Sequence, residues 1–291
     1  MLTAIVGINW GDEGKGRMVD MLSQKYDIVV RYQGGNNAGH TVVNERGKFI
    51  LNLLPSGILR DETVNVIGPG VVVDVEHLYN EVNRLREAGI EVTPEHLKIS
   101  DRATICMPYH KLLDVLEEDR LKDKKFGSTR RGIAPVYADK YMKKTIRMGD
   151  LLNPETLAQK LIDIMEWKNL TINGGYNHEK ITAEAMLEWL KNYGMPFKDY
   201  ITNTTKYLSE AVKDNKNIMF EAQLGALRDI DFGIYPYTSS SSTIAAYAPI
   251  GAGIPQCKTD ESIGIMKAYS SCVGEGPFTC ELFGEKGDEL R

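Results

Sequence analysis

Leu2-Thr-Ala-Ile-Val-Gly-Ile-Asn-Trp-Gly-Asp-Glu-Gly-Lys-Gly16 decides how this chain begins to fold. Leu2 to Val6 is a short apolar strand, and the glycines that follow make a turn. Val19 and Leu22 then share one face of a helix, and Asp27-Ile-Val-Val-Arg31 reads as a second strand. Strand, glycine turn, helix and strand within about thirty residues is the βαβ pattern of a parallel sheet.

The same grammar extends outward. A helix is expected from about Val75 to Ala88, with Asp74 as its N-cap and Val75, Leu78, Val82 and Leu85 on one face. Another is expected from Tyr109 to Leu121, with Leu112, Leu113, Leu116 and Leu121 as its apolar side. Val64 to Ile67 and Leu97 to Ile99 suit interior strands. From Asn153 to Lys213 the pattern turns helical, with Pro154 at a first helical position and Gly194 placed to end a helix. Strand signals return at Asn217 to Glu221 and at Ser262 to Tyr269, separated by a loop containing Tyr237-Thr-Ser-Ser-Ser-Ser-Thr243. Long loops of that kind are commonly functional.

Composition narrows the function. The 291 residues are 42% hydrophobic and 26% charged, as in ordinary globular proteins, and the net charge of −5 is the wrong sign for a general nucleic-acid binder. Phosphate binding by such a protein must be local, through loops and helix ends. Cys106, Cys257, Cys272 and Cys280 show no CxxC spacing, so neither a zinc site nor a disulfide framework is indicated. No basic leader precedes the first strand and no apolar run approaches about 20 residues, so the chain reads as soluble and cytoplasmic.

Four constellations could carry chemistry. Gly11-Asp-Glu-Gly-Lys-Gly16 lies between strand and helix, where backbone N–H groups and the helix start attract an anion. Lys15 adds a point charge. A standard P-loop would have glycine at Asn9 and serine or threonine at Gly16. Asp12 and Glu13 beside a phosphate cradle would repel the ligand unless they hold a cation or move protons. Arg31-Tyr-Gln-Gly-Gly-Asn-Asn-Ala-Gly-His40-Thr41 leaves the second strand at its C-terminal end, where ligands of parallel sheets sit. Within such a loop His40 reads as a proton donor near neutral pH. Phe126-Gly-Ser-Thr-Arg-Arg-Gly-Ile133 can bind phosphate through hydroxyls and guanidinium groups, and Phe220 to Asp231 is a strand running into a polar loop.

Together these residues resemble the adenylosuccinate synthetase family. WGDEGKG (10–16) with GGNNAGHT (34–41) is specific to it, and the segments at 127–133, 220–231, 233–237, 267–269 and 273–278 recur in family order, so the likeness covers essentially the whole chain. It implies an α/β fold with a mostly parallel central sheet flanked by helices, P-loop-NTPase-like, with a helical insertion. One catalytic domain over 1–291 is expected, with a helical subdomain at about 151–215. The implied activity is a GTP-driven ligase of purine biosynthesis, joining IMP and L-aspartate through 6-phosphoryl-IMP, in a cytoplasmic homodimer.

In that scheme Asp12 is the base that removes the proton from N1 of the hypoxanthine, and His40 the supporting acid. Mg²⁺ sits on Asp12 and the carbonyl oxygen of Gly39. GTP meets Gly11, Asp12, Glu13, Gly14, Lys15, Gly16 and Arg17, and also Gly39, His40 and Thr41. IMP meets Asp12 to Lys15, Asn37, Ala38, Gly39 and His40, and further on Thr129, Lys143, Gln223 and Ser239. Four positions depart from the family pattern: Leu224 stands where a glutamine is common, with Gln223 one earlier, Lys143 and Cys272 stand where arginine is usual, and Ser239 replaces a threonine. The resemblance also implies that an aspartate-binding loop and a guanine-reading segment would follow Arg291. Two other readings are a relative acting on another purine nucleotide such as dGMP, and a catalytically silent nucleotide-binding module.

Overall fold

The computed structural model describes residues 1–37, 39–272 and 274–290. In chain order the elements are β1 (Leu2–Gly7), α1 (Lys15–Ser23), β2 (Ile28–Arg31), β3 (His40–Asn44), β4 (Gly47–Leu51), β5 (Val64–Ile67), β6 (Val72–Val73), α2 (Val75–Glu87), β7 (Leu97–Ser100) and β8 (Thr104–Ile105). They continue with α3 (Pro108–Leu121), α4 (Ile133–Met142), α5 (Pro154–Asn169), α6 (Ala183–Trp189), β9 (Ile201–Thr202), α7 (Thr204–Lys213), β10 (Ile218–Gly225), α8 (Ala248–Ala252), β11 (Glu261–Ile265) and α9 (Glu285–Leu290). Seven strands form one sheet in the order β11-β1-β10-β2-β5-β7-β9, and every pairing is parallel. β3 and β4 form a separate antiparallel hairpin, and β6 pairs with β8.

Alternation along the strands assigns the layers. Val29 packs with Ile5, Met219 and Val19 of α1 on one face. Ile28 and Val30 pack with Phe220, Leu208 of α7 and Ala248 and Ala252 of α8 on the other. A larger cluster runs from Leu51, Leu53 and Leu54 through α2 and β7 into the helical segment. β10, inserted between β1 and β2, puts its C-terminal end between the two glycine-rich turns. Glu221 pairs at Ile5 and Gly225 at Gly7, so β10 carries two extra residues there, and Leu224 takes a left-handed φ of 58°.

Several local expectations change. Tyr269 lies outside a strand: β11 stops at Ile265, and Lys267 turns toward the β1–α1 turn. Gly194 does not stop a helix, because its φ is −86° and the chain continues from a π turn into the 3-10 turn Met195–Tyr200. The buried face of α3 is more polar than its leucines suggest: His110, Asp114 and Glu118 join Tyr109 and Leu113. Asp114 accepts from Ser128 Oγ (2.6 Å) and Gly132 N (2.8 Å), so this face holds the 126–132 loop. The periodicity of α3 could not show partners so far along the chain. Among the described residues no helix is long and apolar enough to cross a membrane.

Candidate active site

The β1–α1 turn is shaped by its carboxylates as much as by its glycines. Glu13 points inward, and its Oε1 accepts the N–H groups of Gly11 (2.9 Å) and Asn9 (3.2 Å) while Oε2 binds Lys15 Nζ (2.6 Å). A Cβ on Gly7 would come within 2.3 Å of this carboxylate, and one on Gly225 within 2.6 Å, so both strands need glycine where they cross it. Lys15 is buried, which lowers its pKa despite the Glu13 carboxylate. Gly14 begins α1 in a left-handed conformation with no side-chain cap, leaving the first helical amides available to an anion. Arg17 lies exposed on that first turn.

Asp12 faces the opposite way. Its side chain is 65% exposed, its φ is 60°, and Oδ2 meets Lys267 Nζ at 3.0 Å and Ser271 Oγ at 3.4 Å. Lys267 Nζ also donates to Ser271 Oγ (2.5 Å). Asn9 Nδ2 donates to Ser270 Oγ (2.6 Å), so a second bond ties the turn to the same segment.

His40 opens β3 and is buried beside α1. A Cβ on Gly16 would lie 2.5 Å from His40 Cβ: the imidazole fills the space that a P-loop hydroxyl residue would need. His40 Nδ1 lies 2.5 Å from Glu221 Oε1, which also accepts from Ser56 Oγ (2.6 Å), while Oε2 accepts from Ser56 N (2.8 Å). Arg31, fully buried at the end of β2, places NH1 3.7 Å from Glu221 and donates from NH2 to Asn52 O (2.8 Å). Burial pushes the Glu221 carboxyl up, but His40, Arg31 and Ser56 outweigh it and bring it down to about 2. Burial and the Arg31 guanidinium pull His40 below the ordinary histidine range against the pull of Glu221. The neutral ring donates from Nδ1 to an ionised Glu221, so chemistry toward a substrate runs through Nε2.

The glycine-asparagine loop is held from behind. Asn36 Nδ2 donates to Asp74 Oδ2 (2.9 Å), and Asn37 Oδ1 accepts from Gly35 N (3.2 Å). Gly39 and Thr41 are exposed, and Ala38 lies outside the described residues. Gln223 is buried under this loop: Nε2 donates to Gly35 O (2.7 Å), and Oε1 has no hydrogen-bond partner among the described residues. Gln33 Nε2 donates to Gln223 O (2.8 Å) and Gln33 Oε1 accepts from Ser241 Oγ (2.9 Å), linking the loop to the serine segment. Ser239 is buried there, with its N–H on Arg228 O (2.8 Å).

The remaining expected residues are more dispersed. Thr129 is exposed on the 126–132 loop, and Lys143 caps α4 in a left-handed conformation at the surface. Asp12 and His40 both border the start of α1, one outward and one inward, and no hydrogen bond joins them among the described residues. A cleft of about 460 Å³ opens elsewhere, between α4, the serine segment and α8, lined by Tyr137, Tyr141, Phe232, Ser240, Tyr247 and Ile250. Glu221 and Lys267 lie in the motif segments 220–231 and 267–269 but carry no role of their own in the motif reading, and Ser56 lies in none of them. The signal for Glu221 was a lone charge inside the apolar run Ile218-Met-Phe-Glu-Ala222, which requires a buried partner. At Cys272 the lost cation has a substitute nearby, because Arg228 NH2 lies 2.9 Å from Cys272 Sγ.

A family model described as adenylosuccinate synthetase matches residues 4–291. The chain belongs to the adenylosuccinate synthetase family. Family members are carbon–nitrogen ligases of purine biosynthesis. The chain is 47% identical over 287 residues to the adenylosuccinate synthetase of Halothermothrix orenii, covering 99% of this chain and 67% of the relative. It is 45% identical to adenylosuccinate synthetase 2 of Pseudoalteromonas translucida, covering 99% and 68%. The fully ligated adenylosuccinate synthetase of Plasmodium falciparum superposes with a TM-score of 0.91 at 35% identity, covering 99% of this chain and 67% of that one. The succinoaminodeoxyadenylate synthetase of cyanophage S-2L, bound to dGMP and dATP, shares the fold at a TM-score of 0.59 and 19% identity, covering 88% and 60%. Against the family relatives named here, the chain spans about two thirds of their length.

Proposed function

We propose that this chain carries the phosphoryl-transfer site of a GTP-dependent ligase that condenses IMP with L-aspartate through 6-phosphoryl-IMP. The observation that carries the reading is the arrangement around one turn: the exposed Asp12 carboxylate, the uncapped amides of α1, and the buried His40–Glu221 pair against Gly16. A purine amide oxygen is a poor leaving group. Asp12 takes the N1 proton, O6 attacks the γ-phosphorus of GTP and GDP departs, leaving a phosphate ester at C6. The aspartate amine then displaces that phosphate. With Nδ1 committed to Glu221, His40 Nε2 gives a proton to the transfer only from the charged ring, which the Glu221 carboxylate stabilises, and accepts a hydrogen bond when the ring is neutral. The amides of Lys15 to Arg17 offset phosphate charge, which is the main demand of phosphoryl transfer, while the Lys15 ammonium braces the turn through Glu13.

Asp12 also suits a divalent cation. Its carboxylate is exposed and already attracts an ammonium group, and Gly39 is exposed in the 34–41 loop. Among the described residues no group of three or more His, Cys, Asp or Glu side chains forms a complete cage. One carboxylate and one carbonyl are the protein share of a Mg²⁺ site that takes its other ligands from water and phosphate. A Mg²⁺ held there by Asp12 and the Gly39 carbonyl would supply charge neutralisation for the transferring phosphoryl group.

The test is phosphate release by the longest natural form of the gene product. Release that requires GTP, IMP and L-aspartate together supports the reading, while release indifferent to aspartate, or none, overturns it. A second substrate reading is favoured by Gln223, whose amide nitrogen is occupied by Gly35 O: turnover with dGMP in place of IMP would select it. His40→Asn is expected to slow phosphoryl transfer by about 10²–10⁴-fold. A loss of less than about threefold in single-turnover phosphate release would remove His40 from that role.

The wider assignments are one catalytic domain, a homodimer and a cytoplasmic setting. Four free cysteines suit a reducing compartment. Tyr141 (77% exposed), Phe232 (74%) and Ile250 (52%) line the cleft beside α4, exposed apolar side chains that a second copy would cover, and Lys143 lies one residue beyond α4. Phe232→Glu with Tyr141→Glu is expected to convert a dimer to a monomer in sedimentation velocity. A parent chain that already sediments as a monomer refutes the pairing.

A further inference from the structure

We propose that Arg228 is a positioning residue that clasps three loops and thereby sets the separation between Ser239 and the loop bearing Thr129. The clasp rests, for its functional meaning, on the reading of those two residues as IMP contacts.

Arg228 follows β10 at the end of the 3-10 turn Ala226–Arg228 and is only 8% exposed. Its NH1 donates to the carbonyl oxygens of Tyr237 and Glu275, and NH2 reaches Cys272 Sγ. Its own carbonyl oxygen accepts the N–H of Ser239. One residue therefore grips both sides of Thr238 in the serine segment and both ends of the 272–275 segment.

The third loop is held indirectly. A Cβ on Gly127 would lie 2.8 Å from Glu275 Cγ, so the 126–132 loop rests on the residue whose carbonyl Arg228 holds. The Phe126 ring meets the Tyr237 ring edge-on at 6.4 Å, so the loop also touches the serine segment that Arg228 holds. From its far side the loop is fixed by Asp114 through Ser128 and Gly132. Loop 126–132 is thus seated between α3 and the Arg228 clasp.

The geometry asks for a guanidinium. Its planar fork offers donors in several directions at once, whereas a lysine ammonium at the same depth can serve one acceptor cluster and leaves the others without a donor. Leucine would fill the volume and make none of the bonds. The consequence is local: the loops are fixed through backbone carbonyls at their tips, away from the β1–β10–β2 core.

Hydrogen exchange, thermal melting and calorimetric IMP binding on Arg228→Leu and Arg228→Lys test this. Arg228→Leu should raise exchange in 126–132, 237–242 and 274–276 by about tenfold or more, with β1 and β2 unchanged. IMP affinity should fall by about tenfold while GTP affinity holds, and Arg228→Lys should recover part of both losses. Unchanged exchange in those loops overturns the clasp, as does exchange that rises equally in β1 and β2, which marks general destabilisation. If the loops loosen as expected but the parent chain binds no IMP, the clasp stands and the substrate reading falls.

Discussion

Asp12→Asn should abolish most turnover while leaving the fold intact. Removing a general base commonly costs about 10²–10⁴-fold, and the charge that would accompany a cation is lost with it. Stability should barely move, because the side chain is 65% exposed and its partners, Lys267 and Ser271, are surface groups. A change in melting temperature within about 2 °C is expected. Asparagine is the better probe than alanine, since position 12 has a φ of 60° and asparagine tolerates that region. Steady-state turnover and a thermal melt on the same preparation decide it. Near-parental turnover would take Asp12 out of the mechanism, and a collapsed melt would assign it to the turn instead.

Replacing Glu221 should have the larger effect on stability. Glu221→Ala leaves His40, Arg31 and the Ser56 amide facing a buried void with no carboxylate. Breaking a buried ion pair by removing one partner costs about 3–5 kcal/mol. At this chain length that is a drop of roughly 10 °C in melting temperature. Glu221→Gln keeps the shape and an acceptor for Ser56 but loses the charge that orients and supports His40. Turnover should then fall about 10²-fold with a smaller thermal loss.

The acid limb gives an independent check. The folded Glu221 carboxyl lies near 2 against an ordinary value of 4.5. Between those values the unfolded chain binds more protons than the folded one. The stabilisation is therefore complete above pH 4.5 and is lost as pH falls toward 2. It amounts to about 3 kcal/mol. Urea melts of the parent should weaken across that window, and those of Glu221→Gln should lack that component. Identical acid limbs would show that the His40–Glu221–Arg31 cluster carries no such linkage.

Much was legible without coordinates because it is local. The apolar runs of β1 and β2, the Asp74 cap of α2 (Oδ1 accepting from His77 N, 3.1 Å) and the glycine turn all depend on neighbours a few residues apart. Those rules predict a parallel α/β sheet, and the seven-stranded sheet agrees. Motif spacing likewise marked the turn at 11–16 and the loop at 34–41, and the family match over 4–291 agrees with the resemblance they carry.

What tertiary structure alone decided is which way the charged groups face. His40 and Glu221 are 181 positions apart, Asp12 and Lys267 are 255 apart, and Arg228 and Glu275 are 47 apart. No periodicity couples such distances, so the sequence could name Asp12, Glu13 and His40 without telling that Glu13 turns inward and Asp12 outward. The insertion of β10 between β1 and β2 made that choice, by carrying a carboxylate to His40 and setting Gly225 beside Gly7 of β1 against Glu13. A buried charge is tolerated only where the fold delivers its partner, and that delivery is a property of topology rather than of any local stretch.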